Sequence, residues 1–211
     1  MKTKPIVGIL GAGKLGTVLG RLAVNAGYTV LIAGSKTVDR IALTVDVLVP
    51  WAIPKTKTEV VLEAEIIFLC LPLSKMRSIP LIVDDNKVVI DAMNYWMEVD
   101  GLAKIPSDPN LTSSELVASV IQSSKIVKAF NHMGYHDIEF ESHAPIRKVI
   151  AVASDDQEAK ETVMTLIHDF GFDSLDLGDL KAGKILEPGS ELFGANLTKE
   201  EFQNVITKLS A

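Results

Sequence analysis

The stretch Pro5-Ile6-Val7-Gly8-Ile9-Leu10-Gly11-Ala12-Gly13-Lys14-Leu15-Gly16-Thr17-Val18-Leu19-Gly20 decides how the rest of the chain is read. Its opening residues are apolar and rich in β-branched side chains, which suits a strand, Pro5–Leu10, buried on both faces. From Leu15 the pattern switches to helical spacing, with Leu15, Val18, Leu19 and Leu22 on one stripe, and Ala26-Gly27 supplies a stop. A second apolar run, Thr29–Ala33, ends at Gly34-Ser35-Lys36. Strand, glycine turn, helix and strand within about 30 residues is the size of a βαβ unit. In that setting G-x-G-x-x-G reads as a phosphate cradle. Gly11 permits the tight turn, Gly13 lets backbone approach a pyrophosphate, and Gly16 lets the helix pack on the sheet. Ala12, Lys14 and Leu15 fill out the loop, whose N–H groups sit at the positive end of the helix dipole.

The end of the second strand selects the nucleotide. Enzymes that use NAD place an acid there to accept from the ribose hydroxyls. Here Ala33-Gly34-Ser35 carries none, and Lys36 follows, with Arg40 four residues on. If a helix begins at Thr37, Lys36 and Arg40 lie about one turn apart and converge on one anion. Ser35 adds a hydroxyl donor. A neutral strand end, a hydroxyl and two cations suit a 2′-phosphate, so the expected cofactor is NADP (NADPH) rather than NAD.

The same alternation runs on. Helices are expected at Val38–Leu48, Thr58–Ala64, Ser74–Ile82 (interrupted by Pro80), Ser113–Gln122 and Asp155–Asp169. Strands are expected near Val49–Ile53 and at Glu65–Leu71, Lys87–Asp91, Lys125–Phe130, Arg147–Ala153 and Ser174–Leu177. Asp100–Leu111 and Asn131–Pro145 read as loops, and the tail from Lys181 as broken by Gly183, Pro188, Gly189 and Gly194. A last amphipathic helix, Thr198–Leu209, opens with a Thr198/Glu201 capping box. The fold class is α/β, a Rossmann-type doubly wound, mostly parallel sheet with a small packed C-terminal α/β extension. Residues 1–145 form the nucleotide-binding part and 146–211 the extension, the two packing as one body in the simplest case.

Bulk properties narrow the function. A net charge of −6 over 211 residues argues against a general nucleic-acid binder. The apolar run Ile66–Leu73 is too short to span a bilayer, and the N-terminal run is cut by Gly8, Gly11 and Gly13, unlike a signal peptide. A single cysteine, Cys70, excludes an internal disulfide and fits a reducing, cytoplasmic setting. Its apolar surroundings read as those of an inert core thiol.

Several segments, taken in order, resemble the family of deazaflavin (coenzyme F420)-dependent NADP oxidoreductases and their small NADPH-dependent relatives. The reductase domain of the ferric and cupric metalloreductases is similar too. The resemblance rests on Gly-Ala-Gly-Lys-Leu-Gly (11–16), Ala-Gly-Ser-Lys (33–36), Leu-Cys-Leu-Pro-Leu (69–73) and Asp-Ala-Met-Asn (91–94). Lys-Ala-Phe-Asn (128–131), Leu-Asp-Leu-Gly-Asp-Leu (175–180) and Ile-Leu-Glu-Pro (185–188) continue it over nearly the whole chain. It implies that Gly11 to Gly16 hold the pyrophosphate and that Ser35, Lys36 and Arg40 hold the 2′-phosphate. Leu71 and Pro72 would line the adenosine side, and Asn94, Ala129, Phe130 and Asn131 would approach the nicotinamide. Two segments depart from the family pattern: Tyr95-Trp96-Met97 follows Asn94, and Gly189-Ser190-Glu191 interrupts the chain after Pro188.

Hydride transfer to a flavin-like ring needs close stacking and exclusion of water rather than a protein acid or base. Tyr95 and Trp96 offer such a ring an aromatic face, or serve as a lid or dimer contact. For a carbonyl or imine acceptor, His132 or His136 would be the proton donor. These two are four apart but separated by Gly134 and lack a third ligand, so no metal site is expected. The expected function is an NADP(H)-dependent oxidoreductase passing hydride between nicotinamide and a flavin-like or small organic acceptor. A non-catalytic NADP-binding module, sensing redox state or binding a partner, is the alternative. Leu192, Phe193 and the last helix are candidates for a homodimer contact.

Overall fold

The segments that read as the principal strands form one six-stranded parallel sheet in a computed structural model, which describes residues 3–80, 86–101, 111–121 and 125–209. In chain order the strands are β1 (Val7–Leu10), β2 (Val30–Ala33), β3 (Ile53–Pro54), β4 (Ile66–Leu69), β5 (Val88–Asp91) and β6 (Ile126–Lys128). They lie in the order β3-β2-β1-β4-β5-β6. That is the doubly wound Rossmann arrangement, in which the winding reverses beside β1 and opens a crevice at the carboxyl ends of the strands. Every residue of β1, β2, β4 and β5 is buried, as two covered faces demand. Each Val, Leu or Ile so buried contributes roughly 1.5–3 kcal/mol.

Helices α1 (Lys14–Asn25) and α2 (Val38–Leu48) cover one face. Helices α3 (Lys57–Glu63) and α5 (Ser113–Ile121) cover the other. A four-residue helix, α4 (Met97–Asp100), follows β5. Beyond β6 come α6 (Tyr135–Glu141), β7 (Val149–Val152), α7 (Gln157–Asp169), β8 (Asp173–Asp176) and α8 (Lys199–Leu209). β7 and β8 pair in parallel as a second, two-stranded sheet. It is stitched to the first by one antiparallel bridge, in which Lys128 and Ala153 exchange both backbone bonds at 2.9 and 3.1 Å. Ala159, Val163, Leu166 and Ile167 of α7 enter the same apolar cluster as β1 and β4, so the extension shares the main core.

Four expectations are corrected. Asn131–Pro145 is not a plain loop: Gly134 starts α6, and buried Ile138 anchors it. The segment after β4 is a 3-10 turn, Leu73–Ser78, rather than a longer helix. It is followed by Pro80, which has no N–H to continue a helix. The edge strand is only Ile53–Pro54, because α2 runs to Leu48 and Trp51 turns the chain at φ +76°. The tail from Lys181 is more regular than its glycines suggest: Asp179 caps a 3-10 turn, Leu180–Leu186, by accepting from the Ala182 N–H at 3.0 Å. Expected structure at residues 81–82, 102–110 and 122 lies outside the described residues. Leu192, one of the candidate dimer contacts, is buried within the chain itself, as is Phe202 of the last helix. Among the described residues no helix is long and apolar enough to cross a membrane.

Candidate dinucleotide site

Three glycines follow β1, and the fold treats them differently. Gly11 has φ +127°, and a Cβ there would lie 2.1 Å from the Cys70 carbonyl oxygen. A Cβ on Gly16 would lie 1.9 Å from the Gly11 carbonyl oxygen. Both are glycines because the protein's own backbone leaves no room. At Gly13 a Cβ would meet nothing within 4 Å. Gly13 is the N-cap of α1, which has no side-chain cap and no acid in its first turn. Its first N–H groups and the positive end of its dipole are therefore free for an anion. The open space at Gly13 is what a phosphate pressed against backbone requires.

The glycine loop forms one wall of a cleft of about 630 Å³ at the carboxyl ends of β1, β2 and β4. Of the residues expected at the cofactor, Gly11, Ala12, Gly13, Ser35, Lys36, Arg40, Leu71 and Pro72 all line it. Lys14, Leu15 and Gly16 do not; the Lys14 ammonium sits 5.4 Å from the centre of the Tyr135 ring. Thr37 is the N-cap of α2, which puts Lys36 just before the helix and Arg40 in its first turn. The sequence reading missed Lys57 and Lys75, which line the same cleft from α3 and the 3-10 turn. Among the described residues no carboxylate lines the cleft, and none of these four cations forms an ion pair. In a chain of net charge −6, such a concentration of unpaired cations focuses a positive field on one concavity.

Asn94, Ala129, Phe130 and Asn131 lie at the carboxyl ends of β5 and β6, outside the lining of that cleft. Asn94 Nδ2 donates to the Asn131 carbonyl at 2.8 Å, and Asn131 Nδ2 donates to Asn94 Oδ1 at 3.1 Å and the Leu186 carbonyl at 2.7 Å. Both neighbours of Asn131 Nδ2 are acceptors, which fixes the orientation of that amide; its buried Oδ1 has no partner. Phe130 holds a left-handed φ of +62° with its ring fully buried against Phe68 and Phe170. Such geometry costs a non-glycine residue about 1–3 kcal/mol and is tolerated where the surroundings impose it.

Beneath this pair lies a buried charge network that the sequence reading did not find. Lys128 Nζ meets Asp91 Oδ2 at 3.2 Å, the Met93 carbonyl at 2.7 Å and Ser113 Oγ at 3.2 Å. Ser114 Oγ and the Met93 N–H also donate to Asp91. Glu187 accepts from both the N–H and the hydroxyl of Ser113 at the start of α5. Buried Asp100 accepts from the N–H groups of Ser74 and Trp96, joining the 3-10 turn of the cleft to the aromatic turn after β5. The Trp96 ring lies edge-on to Phe193 at 5.6 Å.

The histidines separate. His132 is buried against Phe202, and its Nε2 accepts from the Ala151 N–H at 3.2 Å. Burial drives its pKa down to about 4, against an opposing pull from the Ala195 backbone. It is a neutral core residue, placed neither in the cleft nor to give a proton to a substrate. His136 is exposed on α6 beside Tyr135. Cys70 is corrected from core to cleft wall, where it is half-buried. Burial, reinforced by the Asp91 carboxylate, pushes its thiol well up, so it stays protonated.

A doubly wound sheet with an uncapped helix end and a cationic, acid-free cleft defines a dinucleotide-binding Rossmann protein. Residues 6–95 match the model of the family described as NADP oxidoreductase, coenzyme F420-dependent. This segment holds every described residue that lines the cleft, and it is where the motif resemblance to that family meets the family model. Over 188 residues the chain is 28% identical to metalloreductase STEAP3 of Rattus norvegicus, covering 88% of this chain and 36% of the relative. The chain thus spans about a third of that relative's length. Among solved structures, a hypothetical protein from Sinorhizobium meliloti is 26% identical with a TM-score of 0.80, covering 93% of this chain and 96% of the other. A protein from Arthrobacter sp. FB24, provisionally described as an F420-dependent NADP-reductase, is 20% identical with a TM-score of 0.70. That alignment covers 86% of this chain and 88% of the other, and at this identity the likeness speaks for the fold.

Proposed function

We propose that the chain binds NADP(H) and passes hydride between its nicotinamide and a flavin-like or small organic acceptor. The observation that carries this reading is a cleft lined by the free N-terminus of α1 together with Ser35, Lys36 and Arg40, with no carboxylate among its described lining residues. The N–H groups at Gly13 and the start of α1 would receive the pyrophosphate, and Lys36 and Arg40 the 2′-phosphate. When bound, the nicotinamide supplies or accepts the hydride. Asn94 and Asn131, locked together at the ends of β5 and β6, would fix the ring by its carboxamide, using the unpartnered Asn131 Oδ1. Trp96 and Phe193 would give a planar acceptor an apolar face. Buried His132 and protonated Cys70 leave both groups without an acid–base role, which fits a transfer that needs none. The same reading has the chain act in the cytoplasm, as a homodimer.

The test is NADPH consumption by the purified chain with flavins, deazaflavin, ferric chelates and quinones, with NADH run in parallel. Turnover with at least one acceptor, and preference for NADPH, is the expected result. Tight NADPH binding without turnover across the panel would favour the non-catalytic module. Sedimentation of the same sample measures the homodimer.

A further inference from the structure

We infer that Lys57 is a third cationic ligand of the 2′-phosphate, reaching it from the start of α3 and held in place by Ser78. The inference rests on the cleft being an NADP site. Lys57 is the first residue of α3, whose start is fixed by a capping box. Thr56 Oγ1 accepts from the Glu59 N–H at 3.2 Å, and Glu59 accepts from the Thr56 N–H at 2.8 Å. From this fixed point the Lys57 side chain crosses to Ser78 Oγ, 3.0 Å away at the end of the 3-10 turn. Both residues line the cleft.

Lys55, two positions earlier, gives the contrast. Its ammonium lies 2.8 Å from Glu63 and 3.7 Å from Glu59, so its charge is matched by carboxylates. Lys57 lies on the same stretch of chain, but it lines the cleft and its ammonium meets a neutral hydroxyl. An ammonium has three donors, and Ser78 takes one. Among the described residues no other partner meets the Lys57 ammonium and no carboxylate lines the cleft.

A phosphomonoester carries about −1.5 to −2 charge near pH 7 and three strong acceptor oxygens. Lys36 and Arg40 line the cleft from the β2–α2 turn, and Lys57 adds a third cation to it from the start of α3. A ribose hydroxyl in the same place is neutral and gains much less from an ammonium than a dianion does. Lys57 is therefore a determinant of which coenzyme binds, and Ser78 is a positioning residue that acts through it.

The test compares dissociation constants of the full chain for NADPH, NADH and 2′,5′-ADP, with thermal melting as a check on folding. For Lys57→Ala we expect NADPH and 2′,5′-ADP to bind about tenfold more weakly, with NADH within about twofold of the parent. Lys57→Arg should recover most of the NADPH affinity, since it restores the charge, and Ser78→Ala should lose about two- to fourfold for NADPH alone. Equal losses for NADPH and NADH, or no loss for either, would overturn the role given to Lys57. If the parent chain itself shows no preference for NADPH over NADH, the cofactor reading falls first and this inference with it.

Discussion

The two ends of the proposed coenzyme path are built on opposite principles. At the adenosine end, Lys36 and Arg40 are exposed, unpaired cations on a turn, and Gly13 opens onto empty space. At the carboxyl ends of β5 and β6, Lys128 and Asp91 are fully buried and spend their charges on each other and on nearby hydroxyl and carbonyl groups. Charge exposed on a rim is available to a ligand and adds little to stability. Charge buried and fully hydrogen-bonded holds a shape, and removing either partner strands the other in the interior. The first end selects by attraction and the second by rigidity.

The largest expected break in this comparison is Lys128→Met. It leaves Asp91 buried without its cation and should cost about 3–5 kcal/mol, read as a fall in the urea midpoint. A loss under about 1 kcal/mol would show that the network does not hold the β5–β6 end together. Next comes acid. The His132 pKa is about 4 in the folded chain against an ordinary 6.5, so the unfolded state binds the extra proton. Stability is then fully present above about pH 6.5 and falls as pH drops toward about 4, by roughly 1.4 kcal/mol per unit. Urea midpoints measured across that window should show this slope, and His132→Gln should flatten it.

The adenosine end should respond the other way. Lys36→Ala with Arg40→Ala should weaken NADPH about 10- to 100-fold, leave NADH nearly unchanged and change the unfolding free energy from urea titration by less than about 0.5 kcal/mol. A loss of stability comparable to that of Lys128→Met would erase the distinction between the two ends. The smallest effect is expected of Gly13→Ala, whose Cβ meets no protein atom. It should leave thermal stability intact while weakening NADPH and NADH alike, by about tenfold, because the pyrophosphate is common to both. Unchanged binding of either coenzyme would mean the phosphates do not lie on α1.

What was legible in the sequence follows the same division. β1, α1 and β2 could be read because their signals are local: a change of hydrophobic period at Gly11 and a missing acid after Ala33. The edge of the sheet was misread because Trp51 turns the chain with a left-handed φ, for which a tryptophan gives no warning. Lys57, Lys75 and Ser78 could not be placed, since only the crossovers of a parallel sheet bring them into one cleft with Lys36. Asp91 and Lys128 sit at the ends of apolar strands 37 positions apart, and no local pattern says that they pair. His132 was read, with His136, as a candidate proton donor for a carbonyl or imine acceptor because its neighbours in the fold, Ala151 and Phe202, lie far along the chain. Local chemistry was visible, and contacts made by topology were not.

Lys128 does more than close a charge pair. Its side chain ties β5 to α5, while its backbone carries both bonds of the bridge to Ala153. One residue thus links the two sheets through its backbone and ties into the buried network through its side chain. The nucleotide-binding portion and the C-terminal extension cannot be separated there without opening the buried network. A chain cut after Pro145 would lose the Ala153 side of that bridge and the Glu187 that caps α5, and with them the frame around Asn94 and Asn131. Evolution or a protein engineer could exchange the rim of the cleft piecemeal, but the extension must travel with the sheet it closes.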